Sequence, residues 1–220
     1  GKRNNLKIIN IFDESACMNR NVPKDFIGLN RFIARKKIIE KLSKLNQVIK
    51  VEDNQMTIPI GDRTGEIIEP YLTEQWYCDA KKLSKPIRNY IDQSKLNFHP
   101  SNWVNTFNNW IENIEPWCIS RQIWWGHRIP AWYSKCGKIF VAENKTEAEK
   151  QAKKIFGEKP FKLSQDNDVL DTWFSSALWP FSTLDWPNNK NDLERFYPTN
   201  VLVTGFDIIF FWVARMVMMG

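Results

Sequence analysis

At 220 residues, with 43% hydrophobic and 14% aromatic content, the chain carries enough apolar material for one sizeable core or two small ones, which excludes disorder as its ground state. The net charge of +6 favours a polyanionic partner, and essentially all of that excess precedes residue 110. Cys17, Cys78, Cys118 and Cys136 share no repeated short spacing, which excludes a disulfide framework and fits a reducing, cytoplasmic compartment. The opening Gly1-Lys2-Arg3 leads into no apolar signal-peptide core, and both ends read as cut, so the expectation is an internal piece of a longer protein.

The first elements are a strand over "LKIINIF" (6–12) and a helix over "GLNRFIARKKIIEKLSKL" from Gly28. On that helix Leu29, Phe32, Ile33, Ile39, Leu42 and Leu45 fall near helical spacing, leaving Arg31, Arg35, Lys37, Lys41 and Lys44 for the outer face. These charges read either as a solvated face or as an RNA contact. "VIKVEDNQMTIPIG" suggests a hairpin about Asp53-Asn54. Turn residues from Gly61 place a domain boundary near 61–70, giving domains of 1–66 and 67–220.

Beyond the boundary, "LSKPIRNYIDQSKL" and "PSNWVNTFNNWIENI" read as helices, and "WCIS" and "IFVAE" as strands. "KTEAEKQAKKIFG" is a helix with Thr146 and Glu149 in capping-box spacing and Gly157 as its stop. "NVLVTG" reads as a strand and "IIFFWVARMVMM" as a helix. Strands alternating with helices predict an α/β fold with parallel strands. The apolar run Val201 to Met219 approaches a membrane span, but each of Asp207 and Arg215 costs about 2.5–3.5 kcal/mol at a bilayer centre. No membrane is expected as a partner.

Asp207 is the odd residue of that run, because a carboxylate among Phe and Ile must be paired or in use. Strand, Thr204-Gly205-Phe206-Asp207, then helix is the layout of a ligand site at the carboxyl end of a sheet strand. Gly205 would admit a flat ligand to the backbone, and Asp207 could accept hydrogen bonds from vicinal ribose hydroxyls. A helix N-cap is the other reading of Asp207. Ile208 and Trp212, four apart, would share one helix face, and Trp173 is a second isolated aromatic at the end of an expected strand. For both indoles core packing competes with a binding role.

"NIEPWCISRQIWWGHRIPAWY", "DVLDTWFSSALWPFSTLDWP" and "VLVTGFDIIFFWVARMVMMG" resemble, in order, three segments of the valyl-tRNA synthetases, class I aminoacyl-tRNA synthetases of the valine, isoleucine and leucine subgroup. "GLNRFIARKKIIEKL" and "DRTGEIIEPYLTEQWY" resemble the stretches preceding them, so the likeness covers essentially the whole chain. The isoleucine enzymes typically carry glutamine after the aspartate where this chain has Ile208, which favours valine. The resemblance implies part of a Rossmann-type catalytic domain (67–220) preceded by the later part of a β-rich editing insertion (1–66). It implies valine, ATP with Mg2+ and tRNA(Val) as partners. By the same resemblance Trp173, Ile208 and Trp212 wall the valine side-chain pocket, and Thr204, Gly205 and Asp207 line the ATP site with Asp207 on the ribose.

Some features of the family are missing from these residues. Neither the H-I-G-H type nor the K-M-S-K-S type signature occurs, and "WGHR" around His127 is a different element, so no catalytic residue is assigned here and the isolated piece is not expected to activate valine. Asp13 and Glu14 do not match the acidic editing motif. Cys136 lacks a Cys-x-x-Cys partner, and with only Cys118 and His127 to join it zinc is not expected. A non-catalytic RNA-binding module derived from a synthetase is the competing reading, motivated by the basic first half.

Overall fold

Asn30 begins the longest helix by accepting a hydrogen bond from the Phe32 N–H at 2.9 Å, filling one of the donors that a helix start leaves open. In the computed structural model, which describes residues 2–62 and 64–220, this helix is α1, Arg31–Lys44. The chain divides into two compact units, Gly1–Glu74 and Gln75–Gly220.

In the first unit α1 forms where its pattern places it, but its apolar stripe is not what is buried. Ala34 and Arg31 face inward, whereas Phe32, Ile33, Ile39, Leu42 and Leu45 stay exposed. Glu69 draws the buried face in, lying 3.4 Å from Arg31 Nε and 2.7 Å from Arg35 Nη2, while Arg31 Nη2 donates to the Ile67 carbonyl. On the flank, Lys37 and Lys41 both stand 5.5 Å from the ring of buried Phe26. The expected strand over 6–12 is reduced to a single bridge, Phe12 to Met18, and the expected hairpin about Asp53-Asn54 does not form. Both segments are apolar enough to be strands. With Ile8, Ile49 and Val51 exposed, neither finds a third strand or a helix to cover it, and an isolated hairpin is marginal in water.

The second unit is a mixture of helices and small sheets. Strand β1 (Tyr77–Cys78) pairs with β2 (Trp117–Cys118), and β3 (Ser120–Arg121) pairs with β7 (Val169–Leu170). Strand β4 (Ala131–Ser134) lies between β5 (Ile139–Val141) and β6 (Leu163–Gln165). Every pairing among the described residues is antiparallel, contrary to the parallel sheet expected. The reason is local. Helix α4 (Lys145–Phe156) does carry the chain across from β5 to β6, so those two run the same way, but the hairpin at Gly137 has already inserted β4 between them. Buried Trp132, Phe140, Ala148, Ala152 and Leu163 seal α4 onto this sheet.

The cap of α4 also differs from the expected one. Asn144, not Thr146, accepts the Glu147 N–H at 3.0 Å, and Glu147 reaches back to the Glu143 N–H at 3.2 Å. Gly157, at φ 63°, ends the helix as its sequence position suggests.

The larger core gathers α2 (Ala80–Asp92), α3 (Trp103–Glu112), α5 (Thr172–Ala177) and the chain end around Phe107, Ile87, Ile111, Trp117, Ile209 and Met218. Short helices α6 (Trp179–Ser182) and α7 (Asn191–Phe196) follow α5. "NVLVTG" is not a strand, since Val201, Leu202 and Val203 lie exposed and join no ladder. The single helix expected after it is three pieces: a 3-10 turn at Phe206–Ile208, a π-helical turn at Ile209–Val213 and α8 at Ala214–Met219. No helix among the described residues is long and apolar enough to cross a membrane.

Phe107 has no exposed surface, whereas Trp124 is fully exposed. Phe107→Ala is therefore expected to lower unfolding free energy by about 3–5 kcal/mol. Trp124→Ala should change it by no more than about 0.5 kcal/mol. Urea unfolding followed by circular dichroism checks this, and equal losses from the two variants would contradict the core assignment.

Candidate functional site

Strand β7 ends at Leu170, and the next residue, Asp171, is turned inward with 5% of its surface exposed. Its backbone N–H donates to the Ile119 carbonyl at 2.7 Å, extending the β3–β7 pairing by one step. Its Oδ1 accepts the Trp173 N–H at 3.3 Å and so caps α5. Its Oδ2 accepts from Trp117 Nε1 at 2.8 Å, Arg121 Nη2 at 3.0 Å and Arg215 Nη1 at 3.2 Å. A buried carboxylate is tolerable only when paired and bonded in this way. The Arg215 guanidinium lies 4.1 Å over the Trp117 ring. Burial pushes Arg215 below its ordinary value, the Asp171 charge opposes that, and neighbouring Arg121 adds to it.

On α5, Trp173 stacks on Phe211 with ring centroids 5.8 Å apart, and the Ser176 carbonyl accepts the Trp212 Nε1 hydrogen at 3.0 Å. The structure thus brings Trp173 and Trp212 onto two neighbouring elements, α5 and the π-helical turn, both half-buried. Trp173 stands inside the helix rather than at a strand end. Ile208, also half-buried, closes the 3-10 turn. The rule that residues four apart share a face assumes one regular α-helix, and it does not carry across a 3-10 to π junction.

Thr204, Gly205 and Asp207 lie on the stretch leading into that junction. Thr204 Oγ1 donates to the Gly205 carbonyl at 3.3 Å. A Cβ on Gly205 would fall against Asp207 Oδ1, a contact relieved by rotating the exposed Asp207 side chain. Asp207 is exposed, and Gly205, not Asp207, precedes the 3-10 turn, with no side-chain cap bond. The carboxylate is compatible with its apolar run because it faces water. Phe206 beside it stacks on Trp103 at 5.6 Å.

A cavity of about 330 Å³ opens beside the Asp171 cluster, lined by Trp110, Ile114, Trp117, Arg121, Arg215 and Met218 among others. None of the six residues singled out for valine or ATP lines it. Sequence reasoning missed Asp171, although the signal was present: an acid between a Val-Leu strand and a Thr-Trp-Phe helix start, matched by the lone cation Arg215 in the apolar run. Among the described residues no three His, Cys, Asp or Glu side chains converge to hold a metal ion.

The family model for class I tRNA synthetases (I, L, M and V) matches residues 14–220. The chain belongs to this family. It is 59% identical over 220 residues to the valine–tRNA ligase of Pelagibacter ubique, covering all of this chain and 25% of that protein. It is 53% identical to the valine–tRNA ligase of Caulobacter vibrioides and 51% to that of Francisella tularensis, in each case over the whole chain and 24% of the relative. The synthetase chain thus spans about a quarter of the length of these curated relatives.

A second polar network in the synthetase chain fixes the segment that enters this unit. Trp76 Nε1 donates to Asp166 Oδ2 at 2.9 Å and to Tyr133 Oη at 3.1 Å, and Tyr133 donates to Asp166 Oδ2 at 2.7 Å. Gln75 Oε1 accepts from Ser120 Oγ at 2.6 Å and from Gln122 Nε2 at 3.0 Å. Burial, followed by the hydrogen bond to Asp166, pushes the Tyr133 hydroxyl up to about 12. Burial alone would raise Asp166, but the bonds from the Asp168 N–H, Tyr133 and Trp76, with the charge of Arg128, together hold it below its usual range.

Because folding raises the Tyr133 value from 10.0 to about 12, the folded state holds the extra proton between those limits. Its stabilisation is complete below pH 10 and is lost as pH rises through about 12. Tyr133→Phe should remove the latest step of tyrosinate absorbance and flatten the fall in melting temperature over that window. Burial raises the Tyr197 hydroxyl as well, so the deciding observation is the step near pH 12: if that step survives the substitution, the strongly raised hydroxyl lies elsewhere.

Proposed function

We propose that this chain is part of a valine–tRNA ligase, which activates valine with MgATP as valyl-adenylate and transfers it to tRNA(Val) in the cytoplasm. The observation that carries the reading is identity of 59% to such a ligase along the entire chain. In this reading 67–220 belongs to the Rossmann-type catalytic domain, and 1–66 to the later part of the editing insertion that clears threonyl-tRNA. The chain lacks the signature imidazoles and lysines that handle phosphate, so its own share is recognition of substrates.

Trp173, Ile208 and Trp212 wall the valine side chain in this proposal. Two indoles and a branched aliphatic make a dry slot that selects by volume, and the half-burial of all three with Trp212 tied to Ser176 supports a rigid wall. Such a slot excludes an added methylene but only weakly rejects an added hydroxyl, a limit for which valine-specific synthetases are themselves the standard illustration. Thr204, Gly205 and Asp207 take the adenosine end. The exposed Asp207 carboxylate supports this, being free to accept from two ribose hydroxyls.

In the intact protein, Trp212→Ala is expected to lower kcat/KM for valine by about 10- to 100-fold in ATP–pyrophosphate exchange, leaving KM for ATP near its original value. Asp207→Ala should do the converse, raising KM for ATP by about tenfold or more through loss of charged hydrogen bonds. Unchanged kinetics in both variants would remove the site assignment.

A further inference from the structure

The two elements that carry the proposed pocket walls are distant in the chain, Trp173 on α5 and Trp212 on the π-helical turn before α8. A slot that selects by volume needs its walls held to a fraction of an ångström, so something must fix α5 against α8. The Trp173–Phe211 stack and the Trp212–Ser176 bond are contacts of the walls themselves. Behind them stands one carboxylate. Asp171 Oδ1 holds the Trp173 N–H, and Asp171 Oδ2 holds Arg215, three residues beyond Trp212. Arg215 cannot swing away, because Trp117 lies 4.1 Å beneath its guanidinium and donates to the same Oδ2. Asp171 and Arg215 side chains are 7% and 13% exposed, so water offers little substitute for either partner.

We infer that Asp171, acting through Arg215, is a positioning residue that sets the width of the valine slot by tying the α5 wall to α8 and so to the π-helical wall that runs into it. The inference rests on the proposed valine pocket. It assigns Asp171 no contact with substrate. One carboxylate holds the backbone of the Trp173 wall and an arginine three residues beyond Trp212, so its loss should appear in recognition of the amino acid before it appears in recognition of ATP.

Asp171→Asn keeps the volume and an oxygen to cap α5, but it places an amide N–H2 where three donors now converge. In ATP–pyrophosphate exchange by the intact synthetase, the expected result is a rise of about tenfold or more in KM for valine, with KM for ATP within about twofold of the parent. Discrimination between valine and isoleucine should fall in the same variant. A milder pair guards against loss of folding: Arg215→Lys keeps the charge and should raise KM for valine less than Arg215→Met does. A merely structural role would lower kcat through loss of folded enzyme and leave both KM values unchanged. Trp212→Ala, measured alongside, separates the two ideas. If it leaves kcat/KM for valine unaltered, the pocket reading fails and this inference with it. If it raises KM while Asp171→Asn and both Arg215 variants do not, the pocket stands and the positioning role is overturned.

Discussion

A single buried carboxylate organises the second unit. Asp171 sits where a strand hands over to a helix, and it serves two guanidiniums, one indole and a helix start at once. The Trp117 and Arg215 donors would be costly if left alone in a largely apolar interior, whereas Arg121 reaches the carboxylate from a side chain 38% exposed. Together they leave the cluster with one surplus positive charge; burial first, and then the charge of Arg121, hold Arg215 below its ordinary value against the pull of Asp171. Because β2, β3, α5 and α8 all contribute to this cluster, their relative placement follows from satisfying it. The apolar core of Phe107, Ile111 and Met218 packs among the same elements.

The second organising constraint is topological. A helix that joins two co-directional strands normally signals a parallel sheet, and β5–α4–β6 is such a connection. Here the tight hairpin at Gly137 has placed β4 between the two, so the same connection yields an antiparallel sheet of three strands. Trp132 and Phe140 on adjacent strands then face Ala148 and Ala152, whose small side chains let α4 lie close to the sheet. The Tyr133–Asp166–Trp76 network ties this layer to the segment that leads into β1.

What was legible in the sequence was local and strongly periodic. Helices α2, α3 and α4 and the strands around Trp117 and Phe140 form close to where apolar spacing puts them, α2 beginning earlier at Ala80 and α4 taking Asn144 as its cap, since each buries a face against a partner within the chain. The segments misread were those whose burial depends on something the local pattern does not name. Val201–Val203 is apolar enough for a strand yet joins no ladder, and "VIKVEDNQMTIPIG" has alternation without a covering layer. The run from Ile208 reads as one helix because its residues are helix or core formers. A local rise in apolar density cannot distinguish α from a 3-10 and π succession, which is settled by how Trp212 reaches Ser176 and how Arg215 reaches Asp171. The family and the pocket residues came from long stretches of resemblance, not from periodicity.

Asp171 and Asp207 obey the same rule and reach opposite solutions. A carboxylate embedded in apolar sequence must be paired inside or turned outside, and which occurs depends on whether cations are within reach. Asp171 has Arg121 and Arg215, so it is buried and its lone pairs are consumed by the architecture. Asp207 belongs to no ion pair among the described residues; it turns to water beside Gly205, and its lone pairs remain available. A group that holds the fold cannot also be the group that recognises a passing ligand, because binding would then compete with stability. Under the proposed reading, the buried carboxylate positions the walls of a slot that judges one substrate by shape, and the exposed one, on the separate 3-10 turn, holds the other by hydrogen bonds.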